Sequence, residues 1–300
     1  MKQPANSAIA SGLLLSVVLW GANNAGTKFL VGSWPPVFVG CTRFLASGLI
    51  LLSLLRWTTI FQKPPALSPD LKKRLWWQGG LNLALYIIAF YVALSMTSAS
   101  HVALYLGASP VWALLWEGRP EKSWKTVQRY FAAILALSGV LVLFWPVLNA
   151  DSSQLLGELL ALTASILWTN YGRQCRTMAE SLSGAAISAH TFWRAGLLVL
   201  PWAIFEIVPN GVPIRTEFFL VQTFCVLAGG VVSFALWNGA LRYWKTSQVY
   251  LFNNLVPLST MAWAYTLLGE PVTSTFWIAM VLIISGVLIG QARWGKILGN

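Results

Sequence analysis

Charge is scarce in this chain. Nine Asp and Glu, twenty Lys and Arg and two His are all that its 300 residues carry. Only 10% of the chain is charged, against roughly a quarter of an ordinary soluble domain. With 57% hydrophobic residues and a mean hydropathy of +0.65, the composition implies an integral membrane protein. The three cysteines, Cys41, Cys175 and Cys225, are odd in number and lie in or at the end of apolar segments, so they imply no disulfide framework and read as small buried hydrophobes. Neither HExxH nor GxSxG occurs, and no intramembrane Asp accompanies His101 or His190. This argues against an intramembrane enzyme, and no metal or cofactor is expected. No stretch is left over for a soluble domain that could carry a signal.

Acidic residues are so few that the net charge is +11, which could suggest nucleic acid. The positions of the basic residues exclude it. They fall in short loops that alternate with loops lacking them, the positive-inside pattern of a multi-pass membrane protein.

Hydropathy places ten spans at about 8–31, 36–56, 75–94, 98–117, 127–146, 154–172, 185–206, 218–241, 247–268 and 273–291. The first is read as a retained span rather than a cleaved signal, because no small-residue cleavage site follows it. With the N-terminus inside, sixteen basic residues fall on the inner segments and only Lys28 and Arg215 on the outer, while Arg43 and Arg194 lie within spans. Both termini are therefore expected in the cytoplasm.

The two halves of the chain resemble each other. Pro110 aligns with Pro257, and SGVL at 138–141 with SGVL at 285–288, at one offset of 147 residues. Gly79-Gly80 and Gly229-Gly230, and Trp20 and Trp168, correspond within a few residues of that offset. The economical explanation is a duplicated five-span unit, residues 1–146 and 147–300. Five is odd, so the second copy enters the membrane from the opposite side. Inverted repeats of this kind belong to transporters, which bind substrate near the midplane where the repeats meet.

LWGANNAGTK in the first span, Pro35-Pro36 followed by Arg43-Phe44, and VPLSTMAWAYTLLGEPVTSTFWIAMVLIISGVLI from Val256 are similar to the EamA repeat of the drug/metabolite transporter superfamily. The first half departs from the pattern, with Glu117-Gly118 where the second has Gly269-Glu270. Within the superfamily the chain most resembles the YddG-type exporters of aromatic amino acids. That resemblance implies an all-α membrane protein of two inverted five-helix repeats in the bacterial cytoplasmic membrane, moving aromatic amino acids or related metabolites outward.

Polar and aromatic residues inside spans are the candidates for substrate binding, since unsatisfied amides are costly in hydrocarbon. Trp20, Asn23 and Thr27 share one face of span one. Asn82 and Tyr86 do so in span three, and His101 and Tyr105 in span four. Trp168 in span six, Trp237 and Asn238 in span eight, and Tyr250 and Asn253 in span nine repeat the mixture. If these faces converge, they form a cavity with aromatic walls and a few amides, suited to a small amphipathic solute with a ring. Each of these side chains could instead serve helix packing alone.

Arg43 and Arg194 occupy equivalent places in spans two and seven. A guanidinium there can clamp a substrate carboxylate or tie helix ends together. Pro110 and Pro257 are candidate hinges, because each can kink its helix. Every acid near a span lies at its end, so facilitated passage is expected rather than proton coupling. His101 and His190 are the groups that could alter that expectation. The expected partners are a small-molecule substrate and the lipid bilayer, not nucleic acid.

Overall fold

The computed structural model describes residues 5–59, 61, 66–116, 124–146, 152–241, 243, 249 and 252–291. Among them all regular structure is helical. The helices are α1 (Asn6–Val31), α2 (Pro36–Trp57), α3 (Pro69–Met96), α4 (Ala99–Gly107), α5 (Ser109–Trp116), α6 (Trp124–Phe144), α7 (Ser152–Met178) and α8 (Gly184–Asn210). α9 joins Thr216–Phe224, Cys225–Val232 and Ser233–Leu241, and α10 (Val256–Leu268) and α11 (Ser274–Gln291) follow. Six stretches are long and apolar enough to cross a membrane, namely Asn6–Val31, Pro36–Trp57, Pro69–Met96, Thr126–Leu143, Gly184–Pro209 and Thr216–Trp237, while Ser274–Ile289 is apolar but shorter. The chain is an all-helical, multi-pass membrane protein.

Helix ends are set by local chemistry. Prolines open α2 and α3, at positions where the missing N–H has no intrahelical partner to lose. Ser68 caps α3 by accepting from the Leu71 N–H at 3.3 Å. The first free N–H groups of α2 are taken by the Glu206 carboxylate at the end of α8, which accepts from Val37 at 2.9 Å and Phe38 at 3.2 Å. Glu270, beyond α10, does the same for α4, accepting from Ala99 N–H at 2.8 Å and from the Ser100 hydroxyl at 2.9 Å. A carboxylate is favourable at such a helix start because it meets the positive end of the dipole and unpaired donors together.

The most extensive packing joins α2 to α8, α6 to α11, α3 to α7 and α1 to α10. α1 also lies along α9, and α4 and α5 lie along α7. Exchanging the first five predicted spans for the second five returns α2–α8 and α6–α11 to themselves, and it swaps α3–α7 with α1–α9 and α1–α10 with the packing of α4 and α5 on α7. Close approach between α6 and α11 uses the paired SGVL segments. A methyl group at Gly139 would meet the Ala279 carbonyl, and one at Gly286 the Ala132 carbonyl.

Two details depart from uniform spans. Span four is broken at Ala108, between α4 and α5, and span nine turns at Asn254-Leu255 before α10. Pro110 and Pro257 therefore stand in the first turns of new helices rather than kinking continuous ones. The two breaks touch, since a methyl group on Gly107 would lie 2.9 Å from Pro257 Cγ. Spans three and eight each carry a π-helical stretch, Leu75–Gly80 and Cys225–Val232, and the paired glycines lie in both.

The bundle has two chemically different ends. At the end where α1 finishes, here the Val31 end, the Lys28 ammonium donates to the carbonyls of Leu94 and Thr97 at 2.7 and 2.8 Å. At the Asn6 end stand Arg56, Lys72, Lys73, Arg74, Arg173 and Arg176, with Arg74 reaching Thr177 at 2.7 Å. Lys125 and Arg129 belong to the start of α6, and Glu117 and the remaining loop cations Lys2, Lys63, Arg119, Lys122, Arg242, Lys245, Arg293 and Lys296 lie outside the described residues.

Candidate functional site

A cavity of about 540 Å³, its mouth included, lies where α1, α2, α3, α4, α7 and α9 meet the break before α10. Its walls carry the rings of Trp20, Phe44, Tyr86, Phe90, Trp168 and Phe234, the amides of Asn23, Asn24 and Asn253, and the Arg43 guanidinium. Ala103, Leu106, Gly107 and Val256, from the two helix breaks, complete it. Discontinuous helices at a midplane are where transporters of this architecture build substrate sites.

The π-helical turn of α9 explains the position of Trp20. It displaces backbone groups from regular α-helical pairing, and the Gly229 carbonyl accepts from the Trp20 indole N–H at 3.1 Å. Gly229 also lies directly against the Asn23 side chain, and Gly230 against Ser47, so α1 and α2 both approach α9 closely at the paired glycines. Trp20 then contacts Phe234 at 5.3 Å and Trp237 at 5.0 Å between centroids. From the other half of the chain Trp168 contacts the same Phe234 at 6.1 Å and Tyr86 at 5.2 Å, and Tyr86 stacks on Phe90 at 5.3 Å. The two corresponding tryptophans thus meet through one phenylalanine, giving a continuous aromatic wall.

The polar groups are sparsely satisfied. Asn24 donates to the Thr260 hydroxyl at 3.1 Å and accepts from Asn23 at 3.4 Å, while Asn23 Oδ1 is buried without a partner. Arg43 is 5% exposed and donates from Nη1 to the Tyr91 hydroxyl at 3.1 Å, while its Nε has no partner. Among the described residues no carboxylate lies within ion-pair distance of it. A buried cation without an acid is costly, and a bound anion would offset that cost.

Of the sequence candidates, Trp20, Asn23, Arg43, Tyr86, Trp168 and Asn253 are brought together here. Trp237 stands behind Trp20 rather than at the cavity surface. Tyr105 is fully buried and faces Glu158. His101 lines a different cavity, with its Nδ1 2.7 Å from Glu158 Oε1. Arg194 contacts His190, donating to its carbonyl at 2.9 Å, and lies over the rings of Trp193 at 4.2 Å and Trp76 at 5.2 Å. Tyr250 and the side chains of Asn238 and Pro110 lie outside the described residues. Sequence reasoning missed Phe44, Phe90 and Phe234, which carry no polar handle to separate them from lipid-facing rings. Asn24, not among the sequence candidates, reaches α10 through Thr260 and lines the cavity as well.

The model of the EamA-like transporter family matches residues 8–145 and 155–290. The chain belongs to this family. It is 24% identical over 295 residues to a probable amino-acid metabolite efflux pump of Escherichia coli, covering 94% of this chain and 95% of that protein. It is also 24% identical to an S-adenosylmethionine/S-adenosylhomocysteine transporter of Chlamydia trachomatis, covering 86% of this chain and 81% of that one. A solved structure described as the crystal structure of a protein superposes with a TM-score of 0.62 at 18% identity, covering 99% of this chain and 100% of that one. That similarity bears on the fold alone. As an EamA protein, the chain is a membrane transporter, and its relatives are named as transporters rather than enzymes.

Proposed function

We propose that this EamA transporter exports aromatic amino acids, or small amphipathic metabolites carrying a ring and a carboxylate, across the bacterial cytoplasmic membrane. The observation that carries the reading is the cavity itself, an aromatic wall with a buried Arg43 set into it that no acid among the described residues pairs. Trp20, Tyr86, Trp168 and Phe234 would stack on the ring. Asn23, Asn24 and Asn253 would orient the polar part, and the guanidinium would meet the carboxylate.

In this reading ten spans form two inverted repeats, residues 1–146 and 147–300, with both termini in the cytoplasm and the Val31 end outside. Alternating access would pivot on the two touching helix breaks at Gly107 and Pro257. The Glu270 and Lys28 ties to the start of α4 and the end of α3 would hold the outer side closed. No acid or histidine lines the central cavity among the described residues, so the solute itself would meet no titrating group there.

The test is uptake of labelled phenylalanine, tryptophan and threonine into proteoliposomes holding the purified chain. Saturable movement of the aromatic pair, with threonine at least tenfold slower, is expected. Equal movement of threonine, or no saturable uptake of either aromatic amino acid, refutes the aromatic specificity.

A further inference from the structure

The acids of this chain looked marginal in the sequence because each sits near a span end, yet Glu158 is fully buried. Its Oε1 accepts from the Thr97 hydroxyl at 2.6 Å and lies 2.7 Å from His101 Nδ1. Tyr105 faces the same carboxylate from α4. A carboxylate in such surroundings is tolerated when it shares a proton with a neighbour or holds one itself. The pair with one proton is neutral whichever group carries it. Removing that proton leaves an anion in an apolar pocket.

The other charged groups nearby are already engaged. Lys28, from α1, donates to the carbonyls of Leu94 and Thr97, and Glu270, beyond α10, holds the Ala99 N–H and the Ser100 hydroxyl. Neither forms an ion pair with His101 or Glu158. Among the described residues no further acid or base is paired with His101 or Glu158.

Its position links it to two compartments. His101 keeps 19% of its side chain exposed and, with Thr97, lines a second cavity of about 900 Å³ including its mouth, formed by the connections α3–α4 and α10–α11 at the Val31 end. Within the next two turns of α4, Ala103, Leu106 and Gly107 form part of the central cavity. On the partner helix α7, Trp168 does so too. The pair is thus a tie between two helices that both reach the substrate site.

We propose that His101 and Glu158 form a proton-binding site that couples export to inward proton movement, one proton exchanged per solute. The inference rests on the transporter reading and on its orientation of the Val31 end to the outside. A proton taken from the outer cavity neutralises the pair and holds α4 against α7. Its release to the inner side frees α4, whose far end shapes the central cavity. This amends the facilitated passage expected from the sequence, and the solute itself still meets no titrating group.

The experiment uses the purified chain in proteoliposomes with an acidic lumen, about two pH units below the medium, and labelled phenylalanine as probe. Each pH unit is worth about a factor of ten, so one-for-one exchange supports up to about a hundredfold accumulation in the acidic lumen. The wild type should concentrate phenylalanine at least tenfold over its no-gradient level. Glu158→Gln and His101→Gln should bring that ratio to about one. A wild type that equilibrates phenylalanine but concentrates none overturns the coupling and leaves the substrate reading standing.

If phenylalanine does not move at all, the substrate reading has failed and proton binding is decided without solute. The chain has two histidines, so ring-labelled histidine gives two nuclear magnetic resonance signals, and His190→Gln assigns them. The His101 signal should respond to pH and be displaced in Glu158→Gln, while the His190 signal stays the same and certifies the fold. Superimposable His101 titrations in both proteins overturn the proposal.

Discussion

Arg43 offers the sharpest test of what the cavity binds, because a substrate clamp and a helix tie predict different ligand dependence. The guanidinium contributes one hydrogen bond to the Tyr91 hydroxyl at 3.1 Å, and its carbon lies 5.2 Å from the Phe44 ring centroid. Replacing it by glutamine keeps a donor for Tyr91 and removes the charge. If a substrate carboxylate is held by Arg43, the loss is that of a hydrogen bond to a charged group, about 1.5–3 kcal/mol. That corresponds to a roughly 10- to 150-fold weaker Kd. The assay is displacement of labelled phenylalanine from the purified protein by 3-phenylpropanoate and by its neutral isostere 3-phenylpropanamide. Arg43→Gln should weaken the carboxylate by that factor and the amide by less than about threefold, while Tyr91→Phe, which removes only a neutral partner, costs each ligand the same few tenths to 1.5 kcal/mol. Equal weakening of carboxylate and amide in Arg43→Gln would refute the clamp and leave the arginine as a structural tie.

The other predictions address how the cavity is built. A methyl group at Gly229 would collide with the Asn23 side chain whereas one at Gly239 meets nothing within 4 Å, so Gly229→Ala should destabilise by about 1–3 kcal/mol. Gly239→Ala should leave the melting temperature unchanged or raise it through helix propensity. Trp20→Phe removes the donor to the Gly229 carbonyl and should cost about 1–3 kcal/mol of stability, read by thermal unfolding in detergent; no change would show that the indole hydrogen bond is not what holds the π-helical turn. Glu270→Gln weakens the carboxylate cap of α4 and should cost about 1 kcal/mol. It should speed amide exchange at residues 99–102, and unaltered exchange there would deny Glu270 its capping role.

Helix type and the correspondence of the halves were legible because each rests on local pattern. Apolar runs give the helices, and the SGVL and Gly-Gly pairs mark where helices must touch. Less visible was how long the helices run beyond the apolar core. α7 extends from Ser152 to Met178, past the expected 154–172, and α3 starts at Pro69 rather than at 75, because polar ends remain helical where caps and neighbours satisfy them. The break in span four was also hidden, since Gly107, Ala108 and Ser109 are small residues that equally suit close packing in a continuous helix. Among site residues the sequence could select by polarity but not by depth. His101 and Glu158 are distant in sequence, and only the fold makes a pair of them.

Although the halves are alike in sequence, the site is not symmetric. Arg43 and Arg194 stand at corresponding places, yet Arg43 lines the cavity beside Tyr91 while Arg194 is turned to the His190 carbonyl and held between Trp76 and Trp193. The difference follows from what each neighbouring helix supplies. α3 presents the Tyr91 hydroxyl to Arg43, whereas at the π-helical turn of α3 a methyl group on Gly80 would lie 3.1 Å from Arg194 Cβ, so Arg194 packs directly against that turn and over Trp76. Two arginines facing one cavity would repel each other and would bind a solute with equal preference in two inverted poses. With one turned away, the cavity has a single cationic point beside a two-sided aromatic wall. On the proposed function, a ring with one carboxylate would then fit in one orientation.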